Sequence, residues 1–319
     1  MSRLIELVHG RSKFVENFAA LLGSTVALGI ATLVVARIGG PAAVGDYALL
    51  RLLPWLVAVL VSGGLAGAIT YFLAGPTHGD PRVRATVIAI AVAGGVGGAL
   101  LWILGAPLLQ HLFFRHLSLG LITVVSVLVI LRMSVITAKA AAQGSGDLRG
   151  SNLTILFEEL LFLPAFGLVL ALKVRGDEAV IAALILSDVA TSSVAWTRLA
   201  RKGFFTQLAR PSVELARRIY LFGVRGQLGS LLMLLNLRYN FVLLAALAGP
   251  VALGIYAVAS KYAEVLRMLP IADNWVLYPR FARADARAAK EESRRLIPRA
   301  GAVTAVAAVP LALAAGVVV

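Results

Sequence analysis

Long apolar runs, separated by short polar connections, dominate this chain and predict its elements. Eight runs are each long enough to cross a membrane, and a ninth is still apolar at Val319. A helix needs about 20 apolar residues to cross a bilayer, whereas a barrel strand needs about 10 residues of alternating polarity. Because lipid offers no water to backbone groups, we predict transmembrane helices. They cover 17–37, 46–73, 85–109, 117–140, 152–172, 179–196, 221–248 and 251–278, with a ninth from 300.

The composition is that of a membrane protein. Of the 319 residues, 60% are hydrophobic and only 14% are charged, against about a quarter charged in soluble domains. The net charge is +14, and with the N-terminus in the cytoplasm 20 basic residues fall in cytoplasmic segments and four on the opposite side. This bias predicts a multi-pass protein of the bacterial cytoplasmic membrane with a cytoplasmic N-terminus. It also predicts contact with anionic membrane lipids and not with nucleic acid.

Cysteine and histidine give no indication of a metal centre. The chain has no Cys and four His, and all four His lie in or near predicted loops. No acidic residue stands between or beside His111 and His116 in the sequence. We therefore interpret these histidines as interfacial residues, and predict no metal, no disulfide and no cofactor.

One ten-residue motif occurs twice, at 40–49 and at 249–258. Both copies fit G-P-x-A-[VL]-G-x-Y-A-[LV], and they join predicted helices 1 and 2 and predicted helices 7 and 8. Gly-Pro ends one helix and allows a tight turn. An offset of six helices preserves direction across the membrane. The motif therefore predicts two parallel six-helix lobes, related by an axis along the membrane normal.

The lobes set the predicted domain boundaries. Residues 1–197 are an N-lobe of helices 1–6, residues 198–219 a basic cytoplasmic linker, and residues 220–319 a partial C-lobe of helices 7–9. A C-lobe equal to the N-lobe would also need helices 10 to 12. We therefore expect the 319 residues to be part of a longer protein of about twelve helices.

Two stretches carry a resemblance to a known superfamily. Residues 36–74 contain GGPAAVGDYALLRLL and GGLAGAITYFLA, and residues 220–282 contain FGVRGQLGSLLMLLNLRYNFVLLAALAGPVALGIYAVAS and VLYPRFA. The chain resembles the polysaccharide and oligosaccharide flippases of the MOP (multidrug/oligosaccharidyl-lipid/polysaccharide) exporter superfamily. The resemblance implies a two-lobed bundle that moves an undecaprenyl-diphosphate-linked oligosaccharide across the membrane by alternating access. The product would serve cell-surface polysaccharide or lipopolysaccharide, with polysaccharide-assembly proteins as partners.

The same resemblance points to helix 7, where the family carries a polar pair that is often Arg-x-Asp. The matching positions here are Arg238 and Asn240. Because the acid is missing, carboxylate-based ion coupling is not expected at that point. The lipid II flippase branch has a charged first helix, whereas residues 18–35 of this chain contain no ionisable residue, which disfavours that branch.

Ionisable residues inside the predicted helices are candidates for substrate binding, because a charge in the bilayer core costs roughly 3 kcal/mol or more. Arginine can bind diphosphate oxygens bidentately and replace their lost hydration. Arg238 lies deep within helix 7, too far from its end to reach the interface easily. The candidate residues for binding the diphosphate and glycan, expected in the cavity between the two lobes, are Arg238, Lys261, Arg51, Arg225 and Asn240. The candidate carriers of a coupling H⁺ or Na⁺ are Asp188, Glu158 and Glu264.

Charge pairing is the alternative for these residues. The sets that can pair are Lys261 with Glu264 and Arg267 along helix 8, and Arg132 with Glu158, Glu159 or Asp188 in the N-lobe. Arg51 lies near the start of helix 2, so its side chain can also extend to the interface. For the basic residues other than Arg238 the sequence leaves function and pairing equally open, and for Arg238 we favour function.

Glycine and proline positions predict packing and kinks. The Gly-x-x-x-Gly pairs at 63/67 and 94/98 are expected to bring helices into close contact. Pro54, Pro164 and Pro270 are expected to kink their helices.

Three other functions compete with glycan export. A multidrug or cation exporter would share the fold but would need an acidic cavity, whereas the intramembrane residues are six basic and five acidic. A membrane glycan-processing enzyme would need catalytic residues at a water-accessible face. The chain has no Asp-x-Asp cluster and no G-x-S-x-G motif, so we predict a transporter and not an enzyme. A non-transporting scaffold is the third alternative.

Overall fold

The computed structural model describes residues 2–75, 80–206 and 208–281, together with separate positions between 290 and 309. Within this part of the chain the structure is helical, without strands. Six stretches are long and apolar enough to cross a membrane, so the predicted class, an all-α polytopic membrane protein, is confirmed. The helices are α1 (Ser2–Ser62), α2 (Leu65–Ala74), α3 (Pro81–Leu112), α4 (Leu119–Val124), α5 (Ser126–Gly144), α6 (Leu148–Leu160), α7 (Phe162–Ala171), α8 (Gly176–Arg201) and α9 (Val213–Phe281).

The eight predicted transmembrane helices correspond to helices in the structure. Predicted helix 1 is the part of α1 before Gly40, and predicted helix 2 is the part after Gly40 followed by α2. Predicted helices 7 and 8 are the two parts of α9 on either side of Gly249. Predicted helix 4 is α4 followed by α5, and predicted helix 5 is α6 followed by α7. The ninth predicted helix, from residue 300, lies outside the described residues apart from separate positions.

Glycine and proline change the interior of two predicted helices. Predicted helix 2 is not continuous, because Gly63 and Gly64 adopt φ angles of 51° and 82° that end α1 before α2 begins. Predicted helix 5 breaks at Leu161, shortly before Pro164, as expected for a residue that lacks a backbone donor and crowds the preceding turn. Of the other prolines predicted to kink their helices, Pro54 lies within α1 and Pro270 within α9.

The repeated motif is also a repeat in backbone conformation. Gly40 has φ 73° and ψ −172°, and Gly249 has φ 81° and ψ −178°. This region of conformational space is accessible almost only to glycine. The proline that follows each glycine suits the first position of the new helix. The motif is therefore a one-residue corner between two helical segments.

Replacing Gly40 with alanine tests how much the stability of the protein depends on glycine at this corner. No atom lies within 4 Å of the place where a Cβ would stand at Gly40, so the change adds backbone strain without a clash. We expect Gly40→Ala to lower the free energy of unfolding by about 1–3 kcal/mol, measured by thermal unfolding in detergent. Gly29→Ala is the control, since Gly29 also has no atom within 4 Å but lies inside a helix. Equal stability of the two variants would contradict the prediction.

The predicted Gly-x-x-x-Gly contacts have different outcomes at the two sites. At Gly94 and Gly98, an added Cβ would stand 2.6 Å from Met133 Cε and 2.8 Å from Val129 Cγ1. These two glycines therefore bring α3 close to α5, as predicted. Gly63 instead lies in the turn between α1 and α2, where its neighbours are side chains of α9.

The bundle has two ends, which we name the Gly40 end and the Asp147 end after one residue at each. At the Asp147 end, the Asp147 side chain accepts from the backbone N–H of Gly150 and so caps α6. Its carboxylate also accepts from Arg198 Nε at 2.6 Å and lies 3.1 Å from Lys202 Nζ. The hydrogen bond from Arg198 lowers the pKa of Asp147 to about 2. Asp147 thus joins the start of α6 to the end of α8.

This clamp predicts a pH-dependent contribution to stability. Because the folded-state pKa of Asp147 lies below its ordinary value of 3.8, the contribution is fully present above about pH 4 and is lost as the pH falls towards about 2. We expect Asp147→Asn to lower the midpoint of thermal unfolding at neutral pH, and the difference from wild type to shrink between about pH 4 and 2. Asp80→Asn, which removes the carboxylate capping α3, is the control. A difference that stays constant with pH would count against the clamp.

Helix α9 makes one glycine contact with α1 and another with the turn between α1 and α2. An added Cβ at Gly45 would overlap the carbonyl of Pro250, and one at Gly223 would stand 3.0 Å from the carbonyl oxygen of Gly63. The first contact is at the Gly40 end and the second near the Asp147 end. All four residues belong to one of the two compact units of the chain, Met1–Leu253, and the other is Gly254–Val319. The lobe boundaries predicted from the sequence stay a prediction.

Candidate functional site

A network of charged side chains lies inside the bundle, where α1, α5, α6 and α8 meet. We call it the charge network. Its members come from these four helices, and half of them are basic and half acidic. They are Arg51, Arg132, Lys139, Glu158, Glu159 and Asp188.

The centre of the charge network lies midway along its helices, which is the position expected for the bilayer midplane. Arg132 lies midway between the start of α4 at Leu119 and the end of α5 at Gly144, and Asp188 lies midway along α8. At about 1.5 Å per residue, each is about 18 Å from either helix end. The hydrocarbon core is about 30 Å thick, so these charges are beyond the reach of either interface.

Arg132 is the central cation. Its Nη1 lies 2.9 Å from Glu158 Oε1, and its Nε lies 2.9 Å from Asp188 Oδ2. The second oxygen of Glu158 accepts from Lys139 Nζ at 3.3 Å. The Arg132 side chain is 4% exposed and that of Asp188 0%. The pairing alternative predicted for Arg132 is therefore what the structure has.

Arg51 and Glu159 form a second ion pair of the charge network. The Arg51 guanidinium donates to the Glu159 carboxylate, and the two side chains are 23% and 11% exposed. Arg51 therefore turns to a carboxylate partner within the bundle, and not to the interface. Of the two arginines in the charge network, Arg51 is thus the less buried.

Two predicted ion carriers, Glu158 and Asp188, are both partners of Arg132. Both carboxylate oxygens of Asp188 are buried without a hydrogen-bond partner among the described residues, so the contact of Oδ2 with Arg132 is an ion pair without hydrogen-bond geometry. The role of these carboxylates in ion coupling stays a prediction. The third carrier, Glu264, and the substrate-binding candidate Lys261 have side chains outside the described residues.

The other substrate-binding candidates lie on α9. The Arg238 guanidinium carbon is 5.6 Å from the centroid of the Phe241 ring, a distance at which a cation is attracted to the ring. Asn240 is exposed. Arg225 lines a cleft between α2 and α9, so it belongs to a different group of residues from Arg51. The predicted set is thus distributed over the charge network, the cleft and the middle of α9.

The cleft is basic and aromatic. It has a volume of about 780 Å³, within the range of small-molecule sites. Tyr71 of α2 stacks on Phe222 of α9 with ring centroids 4.5 Å apart. Arg218 at its edge is paired with Glu214. The lining residues are Tyr71, Phe72, Arg218, Leu221, Phe222, Arg225 and Gly226.

A third polar group lies at the Gly40 end, where the sequence predicted only interfacial histidines. His116 contacts Asp46 and Asp177, which belong to distant segments of the chain. Neither aspartate was among the predicted site residues. A signal was available, because all three positions fall in or beside connections predicted on the same side of the membrane.

Comparison with known protein families identifies a relationship over most of the chain. A protein-family model described as "Polysaccharide biosynthesis protein" matches residues 34–319. The matched region contains both copies of the repeated motif, all six members of the charge network and the residues of the cleft. No curated protein and no solved structure matches the chain.

Proposed function

Because the chain belongs to the polysaccharide biosynthesis protein family, we propose that it is a flippase for a lipid-linked glycan. Its substrate is an undecaprenyl-diphosphate-linked oligosaccharide, and it moves this lipid from the cytoplasmic to the periplasmic leaflet of a bacterial cytoplasmic membrane. The observation that carries the proposal is the charge network midway along its helices, with Arg51 as the less buried of its two arginines. On this proposal the protein is a transporter and not an enzyme.

The diphosphate is the part of such a substrate that resists crossing a membrane. An anion in the hydrocarbon core loses its hydration, and paired guanidinium groups are suited to replace it. The charge network is balanced, so it holds its arginines in place before the substrate arrives. We propose that the diphosphate displaces Glu159 from Arg51, and that Glu159 then takes up a proton. Substrate binding and proton uptake would in this way be coupled, with Asp188 and Glu158 as the further predicted carriers.

The two glycine contacts of α9, one with α1 and one with the turn after α1, are the points at which alternating access is proposed to open and close the bundle. In the proposed cycle, the contact between Gly45 and Pro250 opens towards one side while the contact between Gly63 and Gly223 stays closed, and then the reverse. With the N-terminus in the cytoplasm, the Asp147 end and the cleft face the cytoplasm. The basic, aromatic cleft is then the place where a diphosphate and its first sugar would enter, because aromatic faces bind sugar rings and Arg225 binds phosphate.

Deletion of the gene tests the function directly. We would follow lipid-linked glycans and surface polysaccharide in the deletion strain and in a strain complemented with the intact gene. Accumulation of undecaprenyl-diphosphate glycan in the cytoplasmic leaflet, with loss of the surface polymer, is the expected result. Normal polysaccharide with new sensitivity to cationic drugs would favour the multidrug exporter, which shares the fold. Normal polysaccharide and normal drug resistance would contradict both.

The same complementation assay tests Arg238. We expect Arg238→Ala to abolish restoration of the surface polymer while the protein reaches the membrane in normal amount, because the substituted side chain no longer offers a guanidinium to the diphosphate. Tyr239→Ala is the matched control, since Tyr239 is the neighbouring residue and is exposed. Full restoration by Arg238→Ala would remove this residue from the substrate path.

A further inference from the structure

Three ligating side chains converge at the Gly40 end from three separate segments. Asp46 follows the corner of α1, His116 lies in the connection between α3 and α4, and Asp177 is in the first turn of α8. His116 Nε2 lies 3.2 Å from Asp46 Oδ2 and 3.6 Å from Asp177 Oδ2. We propose that these three side chains bind a zinc ion.

The spacing of the three atoms fits a tetrahedral ion. Zinc bonds to imidazole nitrogen and carboxylate oxygen are about 2.0–2.2 Å long, so two ligand atoms in a tetrahedron are about 3.3–3.6 Å apart. The two distances from His116 bracket this value. All three ligand atoms lie within 4.8 Å of one another. A small rotation of the Asp177 side chain therefore brings the carboxylate oxygens of Asp46 and Asp177 to the tetrahedral separation. The fourth position is available to water, as in zinc sites with three protein ligands.

An unsatisfied carboxylate is the independent sign of a cation. Asp46 is 3% exposed, and its Oδ1 is buried without a hydrogen-bond partner among the described residues. A buried polar atom without a partner is costly and rare. One imidazole N–H cannot serve two carboxylates fully, whereas a divalent cation neutralises both. Bound zinc would thus account for the burial of Asp46.

Nearby basic residues do not provide this neutralisation. Arg115, the residue before His116, donates from Nε to the backbone carbonyl of His111 at 2.8 Å. Across the described part of the chain, no Lys or Arg forms an ion pair with Asp46 or Asp177. With both carboxylates ionised, the group therefore carries net negative charge in either protonation state of the histidine.

The ligand set selects among metals. Calcium takes six to eight oxygen ligands and magnesium prefers an octahedron of oxygens, whereas this group offers three ligands and one of them is nitrogen. Imidazole with carboxylate suits zinc. The site belongs to the first copy of the repeat, because the position of Asp46 is occupied by Ile255 in the second copy. Bound zinc would tie α1, α8 and the α3–α4 connection together at the Gly40 end.

Zinc content and affinity of the purified full chain test the proposal. After removal of loosely bound metal, the protein in detergent should take up about one zinc ion per chain, measured by elemental analysis and by titration calorimetry. His116→Ala and Asp177→Asn should each weaken zinc binding by about 100-fold or more. Loss of a residue that only hydrogen-bonds to a metal ligand already weakens metal binding by about 10–100-fold. His111→Ala is the matched control and should bind zinc as wild type does. Equal zinc binding by wild type and His116→Ala would overturn the site.

Cobalt provides a second readout that needs no variant. Co²⁺ in a tetrahedral site absorbs visible light more strongly than octahedral Co²⁺ in water. We expect the wild-type protein to show this spectrum and to lose it when zinc is added. An octahedral spectrum, or one that zinc leaves unchanged, would contradict the tetrahedral site. The proposal does not depend on glycan transport, so either can fail while the other holds.

Discussion

Replacement of Arg132 by methionine is expected to prevent the protein from accumulating in a folded state. Methionine has a similar volume but leaves Asp188, which is fully buried, without its cation. Removal of one partner from a buried ion pair costs about 3–5 kcal/mol, a large part of the total stability of about 5–15 kcal/mol. Glu158 keeps Lys139 as a partner, so Asp188 carries most of the effect. The measurement is the amount of monodisperse protein after extraction in detergent, followed by its thermal unfolding.

A second change distinguishes a loss of charge balance from a loss of packing. Asp188→Asn added to Arg132→Met removes the uncompensated carboxylate, and we expect the double variant to recover part of the lost stability. Arg115→Met is the control for loss of a basic residue, since Arg115 is exposed at the end of the bundle. If Arg132→Met unfolds at the wild-type temperature, Arg132 does not support the fold through these pairs.

The second large effect is expected at Arg51 of the charge network. Arg51→Ala should reduce glycan export, because the guanidinium proposed to hold the diphosphate is removed. Truncating one partner of a close, buried charge pair costs about 2–5 kcal/mol, so export should fall by about 30-fold or more. Arg51→Lys keeps the charge but not the bidentate geometry, so it should be intermediate. Export per molecule in the membrane, in the complemented deletion strain, is the measurement.

Glu159→Gln separates the transport role of Arg51 from a structural one. If Glu159 only balances Arg51 within the fold, glutamine should lower stability with no change in the pH dependence of export. If Glu159 takes up a proton when the diphosphate arrives, glutamine should remove part of that pH dependence. Wild-type export by Arg51→Ala would contradict the proposed exchange of partners.

The positions of the helices could be predicted from the sequence because lipid imposes a minimum apolar length. That rule fixes where a helix crosses but not how it is rotated. Arg51 and Glu159 are far apart in the sequence, and their depth alone does not say that they face each other. For Arg51 the sequence therefore left pairing, function and extension to the interface open. For Arg132 the sequence left function and pairing equally open, and only the structure shows that Glu158 and Asp188 are its partners.

Glycine was harder to interpret. The Gly-Pro corner was visible because it occurs twice at equivalent places. Gly63 and Gly64 lie inside a longer apolar run, and small residues are common in transmembrane helices that do not break. Only the observed φ angles distinguish the turn from helix packing. The group of Asp46, His116 and Asp177 was missed for another reason, because adjacency was sought in the sequence and not among loops on one side of the membrane.

The corner at Gly40 has a consequence for biosynthesis. Gly40 is the only residue of non-helical conformation between the two crossings of α1, so there is no polar loop to be carried across the membrane on its own. If the first part of α1 entered the lipid alone, its end at Gly40 would have to stay at the far surface until the second part was inserted. We expect the two parts of α1 to leave the translocon together as a helical hairpin, and the two parts of α9 on either side of Gly249 to do the same.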